Sequence, residues 1–195
     1  MTELVPESYV APLDLLAVFG RAAPLQVDLG CGDGSFLCEL AQQSPEKNFL
    51  GIDKMAGRVN KTCRKASILE NVRVLNVEIA YAVRYLLPTE SVEKFYLLFP
   101  DPWPKRRHHR RRVVTEDFLQ SIHRALVSGG FFHIATDQLD YFDHIQRHLD
   151  RFKRSNFEMI EEDKCDLPLT KFERRFRDQG LPIYRLSLRK VSPVR

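Results

Sequence analysis

A glycine-rich turn followed by an acid is the part of this 195-residue sequence whose residue types and spacing first point to chemistry. Gly30, Gly32 and Gly34 follow a short apolar run and precede an amphipathic one, so the pattern predicts a strand, a tight turn and a helix. Asp53 comes nineteen residues after Gly34, where a second strand is predicted to end. An acid at that place can accept hydrogen bonds from both hydroxyls of a ribose, so the sequence predicts a nucleoside-binding site.

The glycine spacing and the neighbouring acids bear on which nucleoside binds. Dinucleotide sites use G-x-G-x-x-G and hold a pyrophosphate at the helix N-terminus, whereas here the spacing is G-x-G-x-G and Ser35 stands where the third glycine would be. Asp28 before the turn and Asp33 within it would repel a pyrophosphate but suit a cation. S-adenosylmethionine is therefore favoured over NAD, and a glycine-rich turn with solvated acids and no ligand stays as an alternative.

Further candidates follow other predicted strands. Glu78 ends the third strand, where it can meet an adenine amino group or simply stabilise a helix N-terminus. Asp137 follows the fifth strand, also at the edge where ligands bind in parallel sheets. The segment 170–173 is predicted to be a loop before a charged stretch, with a helix cap that has Glu at its third position as the alternative.

A proline-rich loop with one acid and the only tryptophan of the chain follows the fourth predicted strand. Pro100, Pro102 and Pro104 stiffen the backbone around Asp101 and Trp103. A fixed acid beside an aromatic face can hold a planar nucleobase. The loop is thus a candidate base-binding element, and a proline-rich turn with a packing tryptophan is the alternative.

Much of the positive charge lies in one eight-residue run, 105–112, which holds six Lys and Arg residues and no acid. The whole chain has a net charge of +4, but the remainder has 24 cations against 26 acids. The pattern therefore predicts one local anion site rather than a generally basic surface. Arginine binds phosphate bidentately and stacks on bases. If about six phosphates are bound, the log–log salt slope should be about −4 to −5; a solvated charge run is the alternative.

Apolar periodicity alternates between strand and helix along the chain. Several strands are near-continuously apolar, which predicts a parallel sheet covered by helices on both faces. Strands are predicted at 25–29, 48–52, 72–77, 92–99, 131–135, 157–160 and 183–188. Helices are predicted at 12–19, 35–43, 55–69, 80–87, from 115 to a stop at Gly129-Gly130, and at 141–152.

Length and composition limit the class of protein. The chain suits one domain, 1–195, and its 44% hydrophobic content is enough to bury a core. No apolar stretch reaches the roughly 18 to 20 residues that span a bilayer, and a signal peptide is not expected. His144 and His148 lack the glutamate of a metalloprotease pattern, so a helix surface is predicted and no metal site. The cysteines have no zinc spacing, which predicts buried thiols in a reduced compartment; they are Cys31, Cys38, Cys63 and Cys165.

Five stretches carry a resemblance to a known family, and they occur in the family's order: 27–34, 48–53, 99–112, 135–137 and 170–173. The chain resembles the bacterial tRNA (guanine-N7)-methyltransferases, and the run from Phe99 to Arg112 is the most specific match. The resemblance implies an α/β, Rossmann-like class I methyltransferase fold with a mostly parallel seven-stranded sheet. It also implies a cytoplasmic monomer or homodimer that uses S-adenosylmethionine to methylate N7 of guanine 46 in the variable loop of tRNA.

The resemblance further implies roles for individual residues, with Asp101 as the catalytic acid. Implied cofactor contacts are Asp28, Gly30, Gly32, Gly34, Asp53, Glu78 and Asp101. Implied substrate contacts are Lys105, Asp137, Thr170, Lys171, Phe172 and Glu173. Within a basic substrate loop at 100–114, the implied RNA-binding residues are Arg106, Arg107, His108, His109, Arg110, Arg111 and Arg112. The chain departs from the family at Glu78, which is usually Asp, and in its N-terminal segment 1–20, which is short.

Two other functions stay open on the sequence alone. An NAD-dependent oxidoreductase is disfavoured by the glycine spacing and by the lack of an obvious base for hydride transfer. A non-catalytic RNA-binding protein on a methyltransferase fold is disfavoured because Asp53 and Asp101 are both intact.

Overall fold

One eight-stranded sheet forms the centre of the molecule in the computed structural model, which describes residues 2–152, 156–160 and 167–191. The strand order is β1-β4-β3-β2-β5-β6-β8-β7. All neighbouring strands are parallel except β8, which runs antiparallel to both β6 and β7. The strands are β1 Glu3–Leu4, β2 Leu25–Leu29, β3 Asn48–Asp53, β4 Val72–Asn76, β5 Val92–Leu98, β6 Leu126–Thr136, β7 Phe157–Ile160 and β8 Tyr184–Lys190.

Helices cover both faces of this sheet. They are α1 Leu15–Phe19, α2 Ser35–Gln43, α3 Ala56–Lys65, α4 Ile79–Tyr81, α5 Glu116–Ala125, α6 Leu139–Arg151 and α7 Lys171–Asp178. A π-helical turn, Ala82–Leu86, continues α4, and 3-10 turns occupy Ala66–Ile68 and Arg106–Arg111. The predicted α/β architecture, a mostly parallel sheet with flanking helices, is confirmed.

One cluster of buried apolar residues lies on each face of the sheet. One joins α2 and α3 to the sheet through residues such as Leu37, Val59 and Phe49. The other contains Phe118 of α5 and Ile145 of α6. Every residue of β2 and of β3 is buried, including polar ones such as Gln26, Asp28 and Asn48, as expected for central strands of a parallel sheet that is covered on both faces. The order of the strands reverses between β2 and β5, and such a reversal is where open α/β sheets bind ligands.

The strand at one edge of the sheet was not predicted. β1 is only two residues long and pairs with β4 through Glu3 opposite Val74 and Leu4 opposite Leu75. A pair of residues carries no period-two pattern, so the sheet has one strand more than the seven expected.

Gly129 and Gly130 do not end a helix, and that prediction is wrong. Helix α5 ends at Ala125, and both glycines lie inside β6. The pairing of β5 with β6 shifts register between Val92 and Lys94. A Cβ on Gly130 would lie 2.9 Å from the backbone oxygen of Glu93, and Gly129 has φ +74°. The glycines therefore allow a bulged close approach of two strands rather than a helix stop.

The remaining local predictions can be compared directly. Cys31 and Cys38 are buried free thiols and Cys63 is half-buried, whereas Cys165 lies outside the described residues. His144 and His148 lie on α6 with ring centroids 4.4 Å apart. Within the described ranges, no helix is long and apolar enough to cross a membrane.

Candidate active site

A cleft opens at the carboxyl ends of β2 and β5, next to the point where the strand order reverses. It encloses about 700 Å³ of empty space, part of it open to solvent. Its walls come from the glycine turn, from the end of β3, from the start of α4 and from the proline-rich loop. Among the residues that line it are Gly30, Asp53, Arg58, Glu78, Asp101, Trp103 and Arg111.

The glycines of the turn meet two different requirements. Gly30 has φ +84° and open space where a Cβ would stand, so its backbone can approach a ligand directly. Gly34 has φ +74°, and a Cβ there would lie 2.4 Å from the side chain of Thr62 on α3. Gly34 therefore serves the packing of α3 against the turn, whereas Gly30 faces the cleft.

Asp53 forms part of the floor of the cleft with its carboxylate held in place. It is 3% exposed, and its oxygens accept hydrogen bonds from the backbone N–H of Gly32 at 3.1 Å and of Met55 at 2.8 Å. The guanidinium of Arg58 lies 3.7 Å from the same carboxylate. Each carboxylate oxygen has more than one lone pair, so the fixed group can still accept from ribose hydroxyls.

Asp28 lies in β2 and is 5% exposed. Burial, and to a smaller extent the charge of Asp53, raise the pKa of Asp28 to about 7. Without a nearby cation, this carboxyl is mainly protonated in mildly acidic solution. A cation close to it would lower its pKa and favour the ionised form.

The helix-start interpretation of Glu78 is confirmed, and its contact with an adenine amino group stays a prediction. Its carboxylate accepts the backbone N–H of Tyr81 at 2.8 Å and so caps α4. The same residue lines the cleft. A capping carboxylate keeps acceptor capacity on its other oxygen, so the cap fixes Glu78 in place without using it up.

The proline-rich loop is held in an uncommon backbone conformation. Phe99 and Trp103 have φ of +54° and +45°, values that residues other than glycine rarely adopt. The N–H of Phe99 donates to the carbonyl of Ala135 on β6 at 2.7 Å, which anchors the start of the loop. Asp101 is exposed between these two residues and faces the cleft as part of its lining.

The basic run forms a 3-10 turn that packs on the proline-rich loop. The guanidinium carbon of Arg111 lies 4.9 Å from the ring centroid of Trp103, and His108 meets the same ring edge-on. His109 lies 3.8 Å from the carboxylate of Asp140. Lys105 and four arginines of the run are exposed; the arginines are Arg106, Arg107, Arg110 and Arg111.

Arg112 differs from the rest of the run. It is 3% exposed, and its guanidinium is bonded to the carbonyl of Pro102 and to Asp140. The expectation that the side chain of Arg112 faces RNA together with its neighbours is therefore not met, because solvent hardly reaches this guanidinium.

Helix α7 replaces the loop expected around 170–173, so that prediction is wrong. The hydroxyl of Thr170 accepts the N–H of Glu173 at 3.0 Å, which is the helix cap that the sequence left as an alternative. Glu173 is buried and bonded to Arg177 and Arg185. Its carboxylate thus holds α7 to β8, rather than facing outward as a substrate contact would.

The other substrate candidates on α7 also contact the protein. Phe172 is half-exposed, and its ring centroid lies 6.4 Å from that of Phe99. Lys171 is ion-paired with Asp33. Asp137, at the end of β6, accepts a hydrogen bond from the side chain of Gln138 at 2.7 Å. The structure therefore brings α7 against both the glycine turn and the proline-rich loop.

Three contacts in the site were not predicted from the sequence. Arg58 reaches Asp53 from one turn into α3, and its place shortly after the acid was a usable signal. The guanidinium of Arg111 lies over the ring of Trp103, and this contact could be predicted only if the conformation of the basic run were known. Phe99 supports α7 through its ring and starts the loop at a positive φ, and no pattern in the sequence announces either fact.

Known proteins are similar in sequence to this chain over most of its length. The sequence model of a family described as "Putative methyltransferase" matches residues 22–186. A tRNA (guanine-N(7)-)-methyltransferase of Syntrophotalea carbinolica is 40% identical, over 91% of this chain and 79% of that protein. A protein of the same name from Halorhodospira halophila is 39% identical, over 95% of this chain and 82% of that protein.

Solved structures agree on the fold. The 16S rRNA methyltransferase KamB superposes with a TM-score of 0.68 at 16% identity, over 92% of this chain and 93% of that one. The antibiotic-resistance methyltransferase Kmr superposes with a TM-score of 0.64 at 17% identity, over 97% and 96%. At these identities the likeness concerns the arrangement of strands and helices alone.

Proposed function

Since the chain belongs to the tRNA (guanine-N(7)-)-methyltransferase family, we propose that it transfers a methyl group from S-adenosylmethionine to N7 of guanine 46 in the variable loop of tRNA. One juxtaposition carries the proposal. The acidic cleft around Asp53 opens directly beside the loop of Asp101 and Trp103, and the exposed arginines of the basic run continue from that loop. A cationic cofactor, a base and a phosphate backbone would thus have adjoining sites.

The residues of the cleft fit S-adenosylmethionine. When bound, the cofactor supplies a methyl group made electrophilic by a sulfonium. Open space next to Gly30 gives the ligand access to the backbone, and Asp53 offers fixed acceptors for ribose hydroxyls. We assign Glu78, which lines the cleft, to the adenine amino group, and Asp28, which lies two residues before Gly30, to the cationic end. The pKa of Asp28, raised to about 7 by burial, would fall when a cation binds nearby.

The base needs positioning rather than proton removal. Guanine N7 carries a lone pair and no proton, so no general base takes part. The protein's task is to hold N7 about 3–3.5 Å from the carbon that it attacks and in line with the bond that breaks. Trp103, half-buried in the cleft wall, offers a stacking face for this purpose.

Asp101 carries the electrostatic part of catalysis in this proposal. Methylation at N7 leaves positive charge on the guanine, and a carboxylate fixed beside the ring stabilises that charge as it develops. Asp101, or Asp137 at the end of β6, also accepts from the guanine N1–H and the exocyclic amine. Adenine lacks this pair of donors, so either acid would favour guanine.

The basic run and α7 complete the substrate site. Lys105 and the exposed arginines between Arg106 and Arg111 would hold tRNA phosphates, and Thr170, Lys171 and Phe172 would contact the variable loop from the other side. The proposal describes a single-domain enzyme, 1–195, that works in the cytoplasm as a monomer or homodimer.

Mass spectrometry of tRNA tests the proposal. Unmodified tRNA is incubated with the protein and S-adenosylmethionine, digested to nucleosides and analysed for 7-methylguanosine. We expect one methyl group per tRNA, and none on a transcript with adenine in place of guanine 46. Binding of tRNA without any product would favour a non-catalytic RNA-binding protein, and methylation of the adenine-46 transcript would overturn the assigned position.

A further inference from the structure

The last arginine of the basic run lies inside the molecule. The side chain of Arg112 is 1% exposed, although four other arginines of the run are exposed. Its Nε donates to the carbonyl of Pro102 at 2.9 Å, and its guanidinium forms a hydrogen-bonded ion pair with Asp140. The guanidinium carbon lies 5.0 Å from the ring centroid of Tyr141, which is fully buried.

These contacts join the basic run, the proline-rich loop and helix α6, which the proposed reaction needs in fixed positions relative to one another. Pro102 stands between Asp101 and Trp103, so its carbonyl belongs to the candidate catalytic loop itself. Asp140 and Tyr141 lie in the first turn of α6, which begins shortly after Asp137. One guanidinium therefore ties the proline-rich loop to the helix that follows a substrate candidate.

The chemistry of the contacts requires an arginine. A guanidinium is planar, and its donors point in several fixed directions, so one side chain can bond a carbonyl and a carboxylate while it stacks on a ring. A lysine ammonium at the same place would keep the charge but could not reproduce the planar fork. The hydrogen bond from Arg112 also holds the pKa of Asp140 below its ordinary value, which keeps the pair ionised.

We propose that Arg112 is a positioning residue of the methyl transfer rather than a phosphate contact: it fixes Pro102, and through it Asp101 and Trp103, against the start of α6. This inference rests on the proposed function. The run thus divides into an outer group that meets RNA and one inner residue that shapes the catalytic loop.

Two matched substitutions separate these roles, because R112K and R110K make the same chemical change two residues apart. Both keep the positive charge that phosphate binding needs. For R112K we expect kcat to fall about 10-fold or more with the KM for tRNA changed less than 3-fold, since small displacements of positioned groups are costly. For R110K we expect the opposite split: the KM for tRNA rises, because a lysine loses the bidentate contact with phosphate, and kcat falls less than for R112K.

The salt dependence of tRNA binding supplies the second readout. A change that leaves the phosphate contacts intact leaves the log–log slope unchanged, so R112M should match the wild type, whereas R110M should have a shallower slope and a higher KM. If R112M instead behaves like R110M, with normal kcat and a flattened slope, Arg112 is a phosphate contact and the proposal is wrong.

Trp103 reports on the loop without any substrate, because it is the only tryptophan in the chain. R112K should shift its fluorescence to longer wavelength and increase quenching by acrylamide, and R110K should change neither. This result is required even if the wild type fails to methylate tRNA, an outcome that would count against the proposed function alone. Unchanged Trp103 emission in a folded R112K protein would overturn the proposal.

D140N keeps the test valid if substitutions of Arg112 unfold the protein. Asp140 is largely exposed and loses only its charge in this variant. It should lower kcat in the same direction as R112K, and the double variant should be no worse than R112K, since residues that act through one contact are not additive. Full additivity of the two effects would contradict the shared role.

Discussion

Lys171 forms an ion pair with Asp33 and so joins the first turn of α7 to the glycine turn. Lys65 of α3 pairs with the same carboxylate at 2.7 Å. Partial burial acts to raise the pKa of Asp33, but hydrogen bonds from Lys171, Lys65 and Ser35 outweigh it and hold the pKa well below its ordinary value. Asp33 is therefore engaged with cations of the protein, and it is not the acid awaiting a cationic ligand that its place in the turn suggested.

Substitution of Lys171 or of Lys65 tests whether the ion pairs of Asp33 stabilise only the glycine turn or also the binding of tRNA. For K171A we expect the KM for tRNA to rise several-fold, because α7 loses one of its attachments and a candidate substrate contact. K65A, which removes the other partner of Asp33, should leave the KM within about 2-fold. Steady-state kinetics with tRNA as the varied substrate measure both, and equal effects would mean that the ion pairs serve only the glycine turn.

Asp101 should affect transfer far more than cofactor binding. For D101A and D101N we expect kcat to fall about 100-fold or more, since removal of one charge-stabilising group costs on that order in other enzymes. Calorimetry should still detect binding of S-adenosylhomocysteine, because Gly30 and Asp53 remain in the cleft. A variant that methylates tRNA at the native rate would show that Asp101 is not catalytic.

Strand ends and their chemistry could be predicted from this sequence because they depend on local patterns. Helix α2 was predicted to the residue, and three of the candidate acids, Asp53, Glu78 and Asp101, line one cleft, whereas Asp28 and Asp137 are not among its lining residues. Residue types with strong local preferences, such as glycine in a turn and proline after a strand, account for that success.

The predictions failed where a residue's role depends on what packs against it. Arg112 and Glu173 are charged residues of types that usually lie at the surface. Here both are buried and form ion pairs with partners distant in sequence. Gly129 and Gly130 resemble a helix stop, and only the approach of β5 shows that they permit a bulge. Burial of a paired charge is a tertiary fact that the spacing of residues along the chain does not encode.

The pH dependence of stability should identify Asp28. Its pKa is about 7 in the folded protein against an ordinary value of 3.8, so the folded state binds more protons between these values. Stability without ligand should therefore fall as pH rises from about 4 to 7, and the cost should be complete above pH 7. D28N removes this cost, so its Tm between pH 5 and 8 should fall less than that of the wild type. The exposed D117N serves as control and should follow the wild type; parallel curves for wild type and D28N would place the pKa elsewhere.

The same carboxyl should make cofactor affinity depend on pH in the opposite sense. A bound cation favours the ionised form of Asp28, so binding releases a proton and the affinity for S-adenosylmethionine should increase as pH rises through about 7. D28N should bind more weakly and with little change over that range. Calorimetry in buffers of different ionisation enthalpy measures the proton release, and its absence from the wild type would remove Asp28 from the cofactor site.

Neutralisation of exposed arginines should change the salt dependence of tRNA binding in proportion to the number of phosphates that those arginines bind. For the triple variant R106Q/R107Q/R110Q we expect the log–log slope to become shallower by about 2 to 3, because each neutralised phosphate contributes about 0.7 to 0.9. The control K61Q/R64Q/R151Q removes the same charge from exposed positions outside the run. It should lower affinity slightly through net charge and leave the slope nearly unchanged, whereas equal slopes for the two triple variants would mean that the basic run attracts tRNA only as part of the overall charge.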